Sequence, residues 1–82
     1  MYKTTLKSLG RVFKSEGETL EEALRKIKIS GGAKAVSVLR VENGDKSRDR
    51  ILSGITTQHL FGQGSPTMKA IHLKQILAMF DI

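Results

Sequence analysis

The chain contains no cysteine and no tryptophan, and only one proline and four aromatic side chains occur in its 82 residues. The lack of cysteine excludes disulfide scaffolds, thiolate zinc sites and cysteine nucleophiles, and it fits a reducing compartment. No apolar run approaches the ~18 residues that a membrane-spanning helix needs. The N-terminus also lacks the basic, apolar and cleavage regions of a secretory signal. We therefore expect a cytoplasmic protein that does not contact membranes.

Positive charge is the main compositional feature. Lys and Arg number 14 against 8 Asp and Glu, which gives a formal net charge of +6. Hydrophobic residues make up 39% and charged residues 27%, a composition typical of globular rather than disordered chains. This length accommodates one domain, so we predict a single small basic α+β domain over residues 1–82.

The first segment, residues 2–15, alternates between apolar and polar side chains around Leu9-Gly10. If these two residues form the loop of a hairpin, Leu6 lies opposite Phe13 and both face the same side. The other side of the hairpin then collects polar and basic residues, namely Lys3, Thr5, Lys7 and Lys14. This pattern is typical of a hairpin with one face packed on a core.

The next segment has the signals of an α-helix. Thr19 and Glu22 have the spacing of a capping box. Apolar residues then recur at helical intervals at Leu20, Ala23, Leu24 and Ile27. We predict a helix that ends at Gly31-Gly32 and forms the central core together with Phe13.

A second hairpin is predicted from residues 35–41 and 46–52, which flank Asn43-Gly44. Asn-Gly between two strand-like runs favours a type I′ turn, because both residues tolerate a positive φ. Apolar residues fall on both faces of these strands, so the pattern leaves their register open.

The last third of the chain is predicted to be helical. Residues 53–61 predict one short helix that ends at Gly62, and Ser65-Pro66 has the N-cap and N1 pattern of a second helix. The alternative is a fifth strand over 68–73, with the helix starting near Lys74. The order β-β-α-β-β with a C-terminal helix predicts a small antiparallel sheet with helices packed on one face.

Catalytic constellations are missing from the sequence. His59 and His72 belong to different segments, and neither has a second ligand three or four residues away. We interpret them as surface or half-buried histidines. The loop Gly62-Gln63-Gly64 resembles a phosphate cradle, but it lacks a third glycine and a following Lys-Ser/Thr pair, so we interpret it as a connector. We predict no enzymatic activity, no metal site and no cofactor.

The cations of the two hairpins suggest a function. If the hairpins are neighbours in one sheet, their outward cations form a positive surface that binds the phosphate backbone of DNA or RNA without sequence preference. The four aromatics are needed in the core, which argues against stacking on single-stranded bases. The predicted nucleic-acid-binding residues are Lys3, Lys7, Arg11, Lys14, Lys46, Arg48 and Arg50.

A protein partner is the alternative. A small basic inhibitor or adaptor would dock on an acidic surface of a larger, nucleic-acid-handling protein. The C-terminal helix has more apolar residues than one buried stripe needs, and its Met68, Ile71 and Met79 are predicted to contact a partner or a second copy. A helix buried over a wide arc explains the same residues.

Overall fold

The computed structural model describes residues 1–29 and 36–81 and has an α+β fold, as predicted. The predicted helix terminators Gly31 and Gly32 lie outside the described residues. The described residues form four strands and three helices in this order: β1 (Tyr2–Ser8), β2 (Arg11–Gly17), α1 (Leu20–Arg25), β3 (Ser37–Asn43), β4 (Lys46–Leu52), α2 (Gly54–Phe61) and α3 (Pro66–Met79).

The strands form one antiparallel sheet in the order β2-β1-β3-β4. The first hairpin has the predicted register, with Leu6 opposite Phe13. Its loop residues Leu9 and Gly10 both have positive φ, 51° and 74°, as a type I′ turn requires. Because β1 also pairs with β3, the two hairpins are neighbours in one sheet, and β2 and β4 are its edges.

The turn of the second hairpin differs from the prediction by one residue. Asn43 is the last residue of β3 and pairs with Lys46, so the loop is Gly44-Asp45 rather than Asn43-Gly44. Only Gly44 has a positive φ, 67°, which is the pattern of a type II′ turn rather than type I′. Glycine at the first loop position permits this turn.

One face of the sheet carries the core. Thr4, Leu6, Leu39 and Val41 alternate along β1 and β3 and are at most 1% exposed. Helix α1 packs against β2 and β1, while α2 packs against α3. Residues at the intervening positions of these strands are exposed, such as Lys3, or half-buried, such as Thr5, so the described helices cover one side of the sheet. We call the uncovered side the outward face.

The core combines the sheet with all three helices. Leu20, Leu24 and Ile27 are buried as predicted, whereas Phe13 is only partly buried. Phe13 lies on the edge strand β2, so it packs at the margin of the core instead of its centre. In the described part of the chain, the buried apolar residues are Leu6, Leu20, Ala23, Leu24, Ile27, Leu39, Val41, Leu52, Leu60, Phe61, Leu73, Ile76 and Phe80.

Helix α1 begins as predicted and ends earlier than predicted. The Thr19 hydroxyl accepts a hydrogen bond from the Glu22 amide at 3.1 Å. The helix ends at Arg25, well before Gly31, because the chain then turns towards α2. The Ile29 amide donates to the Phe61 carbonyl at 2.9 Å, a bond that the helical continuation of α1 would not form. Ile27 is still buried beyond the helix end.

The two remaining helices follow the predicted boundaries. Helix α2 is capped by Ser53 and ends at Gly62. The Ser65 hydroxyl accepts from the Met68 amide at 3.2 Å, and Pro66 occupies the first turn of α3. The alternative of a strand over 68–73 is therefore wrong.

Gly64 has a packing role that a larger residue cannot fill. A Cβ at this position would lie 2.6 Å from the His59 carbonyl oxygen and 2.9 Å from the His59 Cα. Since both atoms belong to the backbone of α2, we expect Gly64→Ala to lower the free energy of unfolding by about 1–3 kcal/mol. Chemical denaturation measures this change. The exposed neighbour Gln63 is the control, and equal stabilities of Gly64→Ala and Gln63→Ala would contradict the prediction.

Candidate nucleic-acid interface

The sheet register separates the predicted cations of the two hairpins. Leu52 lies opposite Ser37 on the helix side of the sheet, where both residues are buried. Side chains alternate along a strand, so Arg50, Arg48 and Lys46 also point to the helix side. The prediction that Arg48 and Arg50 extend the outward surface of the first hairpin is therefore wrong. The outward cations of that hairpin are Lys3, Lys7 and Lys14.

The outward face has nearly balanced charge. Its charged residues are Lys3, Lys7, Lys14, Glu16, Arg40, Glu42 and Asp49, four cations and three carboxylates. Arg40 Nε lies 3.0 Å from Glu42 Oε1, and Arg40 Nη1 lies 3.4 Å from Asp49 Oδ1. The hydrogen bond that Arg40 donates to Glu42, followed by the charge of Asp49, raises the pKa of Arg40. This face therefore does not form a continuous positive surface.

A depression on the outward face has the same mixed character. It has a volume of about 460 Å³ and is lined by two lysines and two glutamates. The remaining lining residues are Thr4, Thr5 and Ser15. Cations and carboxylates alternate around it, so it does not select an anion.

Among the described residues, the cations on the helix side of β4 are not surrounded by carboxylates as those of the outward face are. Three residues form what we call the β4 basic row: Lys46, Arg48 and Arg50. All three are exposed, and no described helix covers the edge strand at these positions. Alternate residues of a strand lie about 6.7 Å apart, so the three charges form a line along the sheet edge. In the described part of the chain, none of the three belongs to an ion pair. These charges are thus available to an external anion.

Arg11 belongs to neither group of cations. It lies on the helix side of β2, opposite Ser8, and its Cζ atom is 5.1 Å from the centroid of the Phe13 ring. This is a cation–π contact. Since β2 and β4 are opposite edges of a four-stranded sheet, the strand that carries Arg11 is about 14 Å from the strand that carries the β4 basic row.

The predicted partner residues of α3 lie at its surface. Ile71 is 46% exposed and Met79 is 37% exposed, while Met68 is half-buried. The opposite stripe, with Leu73 and Ile76, is buried as the helical spacing predicts.

We expect the double substitution Ile71→Gln/Met79→Gln to leave the protein folded. Both side chains are exposed, and surface substitutions usually change the free energy of unfolding by less than about 0.5 kcal/mol. Thermal melting followed by circular dichroism measures the effect. Unfolding of the double variant would show that these positions belong to the core.

The structure brings together two histidines that sequence reasoning treated as unrelated. His59 Nδ1 in α2 and His72 Nε2 in α3 are 3.1 Å apart, and the ring centroids are 5.0 Å apart. Their spacing in the sequence indicates this proximity, because His59 lies six residues before Ser65 and His72 lies seven residues after it. Two helices joined by a short loop place such positions side by side. No described hydrogen bond or ion pair connects either ring to a carboxylate. We therefore interpret the contact between His59 and His72 as a structural link between α2 and α3.

Residues 1–29 and 36–81 contain neither a cluster of metal ligands nor a membrane-spanning helix. No three His, Asp or Glu side chains gather there closely enough to hold a metal ion. Over the same residues, no helix has the length and hydropathy needed to cross a membrane. Comparisons with protein-family models, curated proteins and solved structures find no match to this chain.

Proposed function

We propose that this protein is a non-enzymatic module that binds the phosphate backbone of DNA or RNA through the β4 basic row. The observation that carries the proposal is a line of three exposed cations, Lys46, Arg48 and Arg50, without ion pairs in the described residues. The outward face is a weaker candidate, because its carboxylates offset most of its positive charge.

The chemistry of these side chains suits phosphate contacts. Each arginine can donate two parallel hydrogen bonds to phosphate oxygens, and the lysine acts as a mobile point charge. Binding releases condensed counterions from the nucleic acid, which supplies affinity without reading the bases. We therefore expect slight sequence preference.

Base stacking is a minor contribution in this proposal. Phe61 and Phe80 are 2% and 3% exposed, and Tyr2 and Phe13 pack against the core. A protein that binds single strands by stacking presents exposed rings to the bases. A duplex or a folded RNA is therefore the favoured target.

The experiment is a fluorescence titration of random duplex DNA and of a hairpin RNA at about 50 mM salt, where phosphate contacts are strong. We expect wild type to bind both probes and Arg48→Gln/Arg50→Gln to bind them much more weakly. If wild type binds neither the duplex DNA nor the hairpin RNA, the proposal is wrong. The same cations would then be assigned to an acidic surface of a protein partner, the alternative function.

A further inference from the structure

The outward face is a complete sheet surface that no described helix covers. Its side chains form three rows across the order β2-β1-β3-β4. The first row is Val12, Lys7, Val38 and Ile51, the second is Lys14, Thr5, Arg40 and Asp49, and the third is Glu16, Lys3, Glu42 and Ser47.

The first row is mainly apolar and open to solvent. Val12 is 54% exposed, Val38 is 37% exposed and Ile51 is 73% exposed. β-branched side chains on a sheet gain stability when a second apolar layer covers them. An exposed apolar row beside ordered rows of charge is typical of an interaction surface.

We propose that a second copy of this chain covers the outward face, in a twofold dimer whose axis runs parallel to the strands between β1 and β3. This symmetry operation reverses the strand order and leaves each row facing the same row. Strand β1 then lies over β3 of the second copy, and β2 lies over β4. The interface is isologous, so each cross-copy pair occurs twice.

The charges of the outward face complement each other in this dimer. In this arrangement Lys3 faces Glu42 of the second copy, and Lys14 faces Asp49 of the second copy. Val12 faces Ile51 in the apolar row. Two like charges face each other in none of the three rows. Oppositely charged patches that meet across an interface determine specificity.

An alternative twofold dimer of the same two faces brings like charges together. A twofold axis in the interface and perpendicular to the strands places each strand over the same strand of the second copy. The middle row then places Lys14 on Lys14, Arg40 on Arg40 and Asp49 on Asp49. Like-charge contacts of this kind strongly disfavour an arrangement. The charges therefore select the axis parallel to the strands.

The size of the face predicts a weak dimer. Four strands about 4.8 Å apart and seven residues of about 3.3 Å each give a face of roughly 19 by 23 Å. A pair of such faces covers roughly 900 Å², below the ~1,600 Å² of a standard stable interface. Aligned sheets cross at about 30°, which offsets the corner pairs by a few ångströms that a lysine side chain can span. We expect association that depends on protein concentration.

This dimer is independent of the proposed function. The β4 basic row points to the helix side of the sheet, so the second copy does not cover it. Loss of dimerisation and loss of nucleic-acid binding are therefore separable, and failure of one proposal leaves the other intact.

Analytical ultracentrifugation from ~10 μM to ~1 mM protein tests the proposal, because this range brackets weak affinities. We expect the wild-type mass to rise from monomer to dimer. Lys14→Asp and Asp49→Lys each place like charges across the interface, and each should weaken association by about tenfold or more. The double variant Lys14→Asp/Asp49→Lys restores both cross-copy pairs and should dimerise again. In one copy these residues lie on opposite edge strands, so the exchange reports on the contact between copies.

The expected contact of Ile71 and Met79 in α3 with a second copy is the rival interface, so Ile71→Gln/Met79→Gln separates the two interfaces: if the outward face associates, this variant dimerises like wild type. Thermal melting of each variant confirms that it is folded. A wild type that is monomeric at ~1 mM, within the weak range of affinities, would overturn the proposal. So would single variants that dimerise normally, a charge exchange that stays monomeric, or a dimer that the α3 substitutions abolish.

Discussion

Replacement of Leu24 by alanine is expected to lower the free energy of unfolding by about 2–5 kcal/mol. Leu24 is 1% exposed and lies in α1, which packs on β1 and β2. Removal of its side chain loses buried apolar contacts and leaves a cavity between helix and sheet. Domains of this size are stable by about 5–15 kcal/mol, so the variant loses a large fraction of its stability.

Urea denaturation of wild type and Leu24→Ala measures this loss. The matched control is Ile55→Ala, because Ile55 is also a large aliphatic residue in a helix but is 62% exposed. The control should change stability by less than about 0.5 kcal/mol. Equal denaturation midpoints for Leu24→Ala and Ile55→Ala would remove α1 from the core and contradict the fold.

Local signals predicted the elements that local interactions determine. Leu9-Gly10 forms the two-residue loop that the alternating pattern indicated, and the loop length fixed the register of the first hairpin. The caps Thr19 and Ser65 favour the starts of α1 and α3 because each hydroxyl accepts from the amide three residues later, an amide that has no partner within the helix. These interactions lie within a few residues and can be read directly from the sequence.

Long-range contacts determined the features that the sequence did not predict. The end of α1 depends on the bond between Ile29 and Phe61, which are far apart in the chain. The register of β4 depends on the burial of Leu52 beside Ser37. Because Ile51 is also apolar and points outward, the alternation along β4 allowed either face to be the buried one.

The candidate site illustrates the same limit. The sequence indicated that cations concentrate on the two hairpins, but a shift of one residue in β4 exchanges all of its side chains between faces. Glu16 shares the outward face with the lysines through the first hairpin, whereas Glu42 and Asp49 join them only because β1 and β3 are paired. The charge of a sheet face therefore depends on strand pairing, which composition alone does not specify.

The salt dependence of nucleic-acid binding measures how many cations contact phosphate. Each neutralised phosphate adds about 0.9 to the magnitude of the slope of log affinity against log salt on duplex DNA. Five phosphate contacts would give a slope near −4.5. These would be the contacts of Lys3, Lys7, Lys14, Arg48 and Arg50. The β4 basic row supplies three contacts, so we expect a slope of about −2.7.

The arginine variant then separates the two faces of the sheet. We expect Arg48→Gln/Arg50→Gln to reduce the slope to about −0.9, because only the Lys46 contact remains. Between 50 and 200 mM salt, wild type should lose about 40-fold in affinity and this variant about fourfold. The matched control, Lys3→Gln/Lys7→Gln, removes the same charge from the outward face and should keep the wild-type slope. If the lysine variant lowers the slope and the arginine variant does not, nucleic acid binds the outward face, and the proposed role of the β4 basic row is wrong.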